Sequence, residues 1–295
     1  TSVRFKSEDH FITTAPLNPD DSGSLNFSKT TPVIGTLFKV TPTLNVYANA
    51  GKGFETPTNV ELAYASSNAS VTGMNFNLKP STSKNYEVGV KAYVGSNTRV
   101  NAAVFKIDTK DEVALFTFSG GRSVYHNVDS TSREGFELTV DSAFGGGFKG
   151  LLAYSYIDAT YDNSFAACVG VCAAGPNTTA AAGNKIPGIP ENMVFGELAW
   201  TNERGLSTAM EVRWMDKVFV NDVNTDQADA FTVVNWRLAL EQNLGDWRFS
   251  EFARVNNLFD KKYVGSVVLN DSGGAFYEPA PDRNYILGVS ASYQF

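Results

Sequence analysis

Nothing in the 295 residues is long and apolar enough for a membrane-crossing helix, which needs about twenty predominantly apolar residues. The longest uncharged stretch, 163–184, is interrupted by Gly, Pro and Thr and has the composition of a loop. Basic residues are in the minority, 24 Lys and Arg against 31 Asp and Glu. The resulting net charge of −7 excludes general nucleic-acid binding through a basic surface. Histidine and cysteine are scarce, two of each. No Gly-x-Ser-x-Gly, His-Glu-x-x-His or phosphate-loop motif occurs, so an enzyme reading has no motif behind it. Without a spanning helix the chain is either soluble or a β-barrel, because backbone facing lipid must satisfy its own hydrogen bonds.

What the sequence does have is aromatic residues and glycine, 21 Phe, 12 Tyr and 25 Gly, arranged with a period of two. In the last segment Tyr285, Leu287, Val289, Ala291, Tyr293 and Phe295 alternate with Ile286, Gly288, Ser290, Ser292 and Gln294, the pattern of a strand with unlike faces. Tyr86, Val88, Val90 and Ala92 alternate with Glu87 and Lys91. Phe136, Leu138 and Val140 alternate with Glu137, Thr139 and Asp141. Leu206, Met210, Val212 and Trp214 oppose Glu211 and Arg213, and Val234, Trp236, Leu238 and Leu240 oppose Asn235, Arg237 and Glu241. In 247–255 the facing stays undecided, because Glu251 shares a face with Phe249 and Val255. Two architectures fit this alternation: a one-sided antiparallel sheet in water, or a barrel with its apolar face to lipid and a wet lumen.

Connections alternate in length. Tight turns are expected at Thr41-Pro42-Thr43, Gly95-Ser96-Asn97, Gly145-Gly146-Gly147, 202–205 and 243–246. Long connections are expected at about 53–83, 108–132, 160–192, 217–230 and 257–283. The spacing predicts an all-β meander of about twelve antiparallel strands. Asp222, Asp226 and Asp229 share one loop with Asn221 and Asn224. That hints at an oxygen-rich cation site, but the spacing does not match an EF-hand, and a solvated acidic loop is the plainer reading.

Five motifs in order carry a family resemblance. Asn49 to Thr58 reads NAGKGFETPT and is followed by Glu61-Leu62. Leu78-Lys79-Pro80 precedes Asn85-Tyr86-Glu87-Val88-Gly89. Phe105-Lys106-Ile107 and Asp111-Glu112-Val113 precede Asn127 and Glu134-Gly135-Phe136-Glu137. Gly183 to Pro190 reads GNKIPGIP. The run NNLFDKKY, from Asn256, is followed by PDRNYILGVSASYQF. Together these resemble the C-terminal barrel of TonB-dependent outer-membrane receptors, with Pro281-Asp282-Arg283 where the family usually has Pro-Gly-Arg.

The resemblance implies a transmembrane barrel of twenty-two strands. On that reading residues 1–295 are its C-terminal part, with the N-terminal plug and the first strands not present. It implies a bacterial outer-membrane location with a periplasmic C-terminus, and Tyr293 and Phe295 within the signal read by the barrel-assembly machinery. It implies active uptake of a scarce, bulky small molecule, most often a ferric siderophore that carries Fe(III), with no intrinsic cofactor or metal. The transport would be energised by the TonB complex acting on the plug. A passive pore or a barrel enzyme is the alternative.

In an exported protein, Cys168 and Cys172 are expected to form a disulfide rather than a two-thiolate metal site. His10 and His126 are candidate iron ligands in a haem receptor, or surface residues without a role. An anionic chelate calls for cationic and aromatic groups on long loops, which selects Arg122, Tyr125 and His126 in one connection and Tyr277 and Arg283 in the last. The motifs themselves are expected to hold architecture rather than ligand.

Overall fold

The structure is a computed structural model that describes residues 2–8, 22–67, 70–119, 121–172 and 175–294. His10 and Phe295 lie outside the described residues. Eleven strands form one sheet: β1 (Val33–Thr41), β2 (Leu44–Glu55), β3 (Ser81–Val94), β4 (Thr98–Ser119), β5 (Arg122–Gly145), β6 (Phe148–Tyr161), β7 (Asn192–Thr201), β8 (Leu206–Met215), β9 (Phe231–Leu244), β10 (Trp247–Asn256) and β11 (Asn284–Tyr293). Each pairs antiparallel with its neighbour in sequence, so the sheet is a pure meander with β1 and β11 at its edges. The Ser2–Ser7 and Gly23–Ser28 strands pair with each other outside this sheet.

The expected tight turns all lie at one end of the sheet. Four of the five are built by residues able to take positive φ: Gly95, Gly145, Gly146, Gly147, Gly205 and Gly245 do so. At Gly147 a side chain would also collide, since an added Cβ would stand 2.0 Å from the Thr201 carbonyl oxygen.

The opposite end carries the long connections, with one correction. Residues 108–132, expected as a loop, instead continue β4 and β5 as a tall ribbon whose outermost described pair is Ser119 with Arg122. The run Asp108 to Glu112 obscures the alternation. The ribbon accommodates it with Asp111 at φ 54° and a bulge between Leu115 and Thr117.

Register assigns the faces, since cross-strand partners project on the same side. One ladder runs Ala48–Val88–Val104–Phe136–Tyr156, and another runs Val140–Leu152–Gly196–Val212–Val234. On this face Val88, Val104 and Leu198 are about half exposed, and Leu287 and Val289 on the edge strand are 81% and 76% exposed. All four tryptophans, Trp200, Trp214, Trp236 and Trp247, share it.

The register also resolves β10. Glu251 pairs with Leu240 and Val289, so it stands on the apolar face, where Gln242 Nε2 donates to it at 3.3 Å. The other face carries charge pairs. Arg254 donates to both oxygens of Glu211, at 2.8 and 2.5 Å, Arg237 donates to Glu197 at 2.9 Å, and Arg99 donates to Asp141 at 3.1 Å.

A sheet one layer thick with large side chains left bare on one side has no second layer to make a core. The one cluster of buried apolar side chains among the described residues lies above the wall, at Phe116, Val124 and Cys168 with Tyr64 and Cys172 against them. The strands thus build a rigid wall, and the packing that resembles a domain interior belongs to the long connections.

Candidate ligand-binding mouth

The connection from β2 to β3 opens with a one-turn helix, Asn59–Leu62. Its capping box joins Thr58 and Glu61: the Glu61 amide donates to Thr58 Oγ1 at 3.3 Å and the Thr58 amide to Glu61 Oε2 at 2.6 Å. This turn drives Leu62 into full burial. Asn75 then ties the connection to the ribbon, its amide donating to the Leu62 carbonyl at 2.7 Å and its Nδ2 to the Tyr125 carbonyl at 3.0 Å. Asn127 completes the clasp. Its Nδ2 donates to the Lys79 and Asp111 carbonyls, and its Oδ1 accepts from the Lys79 amide.

The next connection adds a short ribbon, Phe165–Ala167 with Thr178–Ala180, and a disulfide between Cys168 and Cys172. The bridge closes a short local loop against Phe116 and Val124 and so shapes this corner rather than the wall.

A second polar centre binds four connections together. Asp222, buried, accepts from the Tyr161 hydroxyl at 2.7 Å and from Asn270 Nδ2 at 3.0 Å, while its amide donates to Asn270 Oδ1 at 3.2 Å. Asn270 Nδ2 also donates to the Leu115 carbonyl at 2.5 Å, and Asn184 Nδ2 to the Asp222 carbonyl at 2.9 Å. Around this knot the Ser272 amide donates to the Phe118 carbonyl and the Asn270 amide to the Val220 carbonyl. Burial raises the Asp222 carboxyl, while the bonds from Tyr161 and Asn270 oppose the rise. Burial, with the Asp222 charge beside it, also raises the Tyr161 phenol. Asp222 is thus buried inside the knot, which corrects the expectation of a solvated acidic loop at this residue, and no group of three or more His, Cys, Asp and Glu placed to hold a metal ion occurs among the described residues.

The five residues selected on the sequence make separate local contacts. Tyr125 and His126 line one cavity of about 330 Å³ with Asn75, Phe116 and Pro176. His126 is packed between the rings of Phe116 and Phe165, at centroid distances of 5.2 and 5.6 Å. Burial pulls its pKa down to about 4, so the imidazole is neutral at neutral pH, and its Nε2 is buried without a hydrogen-bond partner. Arg122 lies over the Tyr64 ring at 5.4 Å. Tyr277 donates its hydroxyl to the Gln227 carbonyl at 3.0 Å, and the Arg283 amide donates to Asp260 Oδ1 at 2.9 Å where the chain enters β11. The ribbon and the last connection do meet. The hydrogen bonds between them run through Leu115, Phe118, Asn270 and Ser272 rather than through the residues selected for charge and aromaticity.

Sequence reasoning missed Tyr161, Asn184 and Asn270 because their partners are distant in the chain. The only signal was the density of Asn and Asp around 221–226.

An amphipathic single-layer wall, tight turns at one end and four connections knotted at the other define the wall of a barrel with a gathered mouth. The chain belongs to the TonB-dependent receptor-like β-barrel family, whose family model matches residues 1–258. Among curated relatives it is 25% identical over 273 residues to the vitamin B12 transporter BtuB of Photobacterium profundum, covering 88% of this chain and 39% of that protein. It is 20% identical over 295 residues to the probable TonB-dependent siderophore receptor PiuA of Acinetobacter baumannii, covering 98% and 37%. The crystal structure of PiuA superposes with a TM-score of 0.71 at 18% identity over 94% of this chain and 38% of that one. The copper transporter OprC gives 0.69 at 19% identity over 99% and 43%. The chain thus spans about two-fifths of the length of these proteins.

Proposed function

We propose that this chain supplies wall, loops and part of the mouth of a bacterial outer-membrane receptor that takes up a scarce, bulky ligand. The receptor would work with the TonB complex through a plug domain, the arrangement of the family as a whole. The observation that carries the proposal is the joint one: a wall whose bare face is apolar and tryptophan-bearing, and long connections tied together over one end of it. Lipid covers the bare face, the wet face surrounds a lumen, and the tied end faces outward while the tight turns and the C-terminus face the periplasm. A ferric siderophore is the favoured ligand, supported by the siderophore receptor among its relatives. On this reading Fe(III) arrives with the ligand, and Arg122, Tyr125 and Tyr277 are the groups offered to it.

Orientation is tested by tags. A tag within 163–172 is expected to be reachable on intact cells, and one at Gly145-Gly146-Gly147 only after the outer membrane is breached. The reverse labelling sinks the topology.

Ligand class is tested by growth of a deletion strain on individual iron chelates. Uptake of the labelled chelate is then measured with Arg122→Ala, Tyr125→Ala or Tyr277→Ala at equal surface expression. A group that holds the ligand is expected to weaken apparent affinity by about tenfold when truncated. Unchanged affinity in all three removes these residues from the site.

A further inference from the structure

Beyond the ligand mouth, the outer face carries a second feature above its apolar band. Lys52 on β2 and Lys84 on β3 are cross-strand partners, and Lys84 pairs on its other side with Asp108 on β4. Lys110 pairs with Thr82 on the same face, and Lys29 precedes β1. Four successive segments thus each bring one lysine to the rim of a cavity of about 320 Å³, which Thr30 and Thr82 also line. The pairs Ala50–Tyr86 and Ala48–Val88 follow immediately below on the same face. The lysines therefore stand about one pleat repeat, roughly 7 Å, above the apolar ladder.

Charge balance in this cavity is one-sided. Its single carboxylate, Asp108, lies 3.8 Å from Lys106, which also pairs with Glu134. Lys52, Lys84 and Lys110 are exposed and enter no ion pair among the described residues. In a chain of net charge −7 this is a local concentration of cations rather than part of a general basic field.

The geometry points to a binding site for the phosphate groups of an anionic lipid headgroup, in the leaflet on the side of the long connections. This rests on the membrane reading above and extends it. Lysine is a compact point charge with three donors, suited to phosphate oxygens approached from several directions. Its methylene stem lies along apolar wall while the ammonium reaches the headgroup layer. Basic residues grouped just beyond the hydrocarbon attract anionic headgroups, and the cavity gives that attraction a fixed position.

The test uses the complete receptor in zwitterionic detergent, titrated with an anionic diphosphate lipid and, separately, with inorganic pyrophosphate. Bound lipid is counted by native mass spectrometry. Lys52→Gln/Lys84→Gln/Lys110→Gln is expected to lower lipid affinity on the order of tenfold to a hundredfold. Lys39→Gln/Lys149→Gln, near the tight turns, is expected to leave it unchanged. Pyrophosphate alone is expected to bind far more weakly than the lipid. Equal lipid affinity in the triple variant and the parent overturns the site, and equal binding of pyrophosphate and lipid assigns it to free phosphate instead.

Quenching by brominated acyl chains of a bimane at Leu152→Cys separates this outcome from the membrane reading. Quenching with no lysine effect refutes the lipid site alone, whereas no quenching refutes the lipid-facing wall.

Discussion

Leu152→Arg is expected to destabilise the wall by about 2–4 kcal/mol, the cost of a cation on the lipid side of a barrel near its midplane. Leu152 sits on β6 between Val140 and Gly196, with Val212 beyond Gly196 in the same rung and Leu138 in the next rung of that face. Nothing there can pair with a guanidinium, and the side chain must bend toward an interface to stay hydrated. Thr139→Arg, one strand away on the opposite face, is expected to cost less than about 1 kcal/mol. Thr139 pairs with Asn101 and Ala153 and lies between Glu137 and Asp141 along its own strand, so water and carboxylates are at hand. Urea midpoints of the complete receptor refolded into lipid vesicles read the difference. Equal losses would mean that the assigned pleat is reversed or that neither face meets lipid.

Asp222→Ala is expected to loosen the mouth without touching the wall. The substitution leaves the Tyr161 hydroxyl and Asn270 Nδ2 short of an acceptor. Orphaning buried donors of this kind costs about 1–3 kcal/mol. Amide hydrogen exchange should report it as a loss of protection of about tenfold to a hundredfold at Phe118, Asn270 and Ser272, with the strand amides of β7 to β10 unchanged. The sign of the pH effect follows from burial. Because the folded carboxyl is raised above its ordinary value of about 3.9, the knot binds the proton more tightly than the open loops do. Its stability is full below the unfolded value and declines as pH rises through the folded one. Protection of these amides should therefore increase as pH falls toward the carboxylate range in the parent, and this slope should vanish in Asp222→Ala. Uniform loss of protection across the sheet would show that the knot holds the whole fold and not the mouth.

The two faces of the wall were legible in the sequence because a period of two is a local property. Tyr86-Val88-Val90 and Phe136-Leu138-Val140 declare their side without knowledge of their neighbours. The turns were legible for the same reason, four being specified by their own Gly and Asn residues and the first by Pro42. β10 was not, since a carboxylate on the apolar face breaks the pattern. Only the register with β9 and β11 places Glu251 outward, where Gln242 partners it. The ribbon from Asp108 to Ser132 was hidden by a charged run that a bulge and one left-handed residue absorb.

The mouth was the least legible part. Arg122, Tyr125, His126, Tyr277 and Arg283 were chosen by chemistry, and the structure gives each a local partner or a packed position. The residues that join the connections are amides, a phenol and the Asp222 carboxyl, and their pairing spans up to 155 positions, from Leu115 to Asn270. No local pattern encodes such a contact.

The uneven connections also set an order of assembly. β3 and β4 are linked by a tight turn at 95–97 and β5 and β6 by one at 146–147, while β4 and β5 stay paired out to Ser119 with Arg122. Bringing two strands together across a chain segment roughly ten times longer, as between β6 and β7, costs about 2 kcal/mol more in closure entropy. Those four strands include the tallest ribbon, β4 with β5, and can pair before the others have met. The remaining hairpins, β1 with β2, β7 with β8 and β9 with β10, are each closed by a short turn and can dock onto that template as preformed pairs.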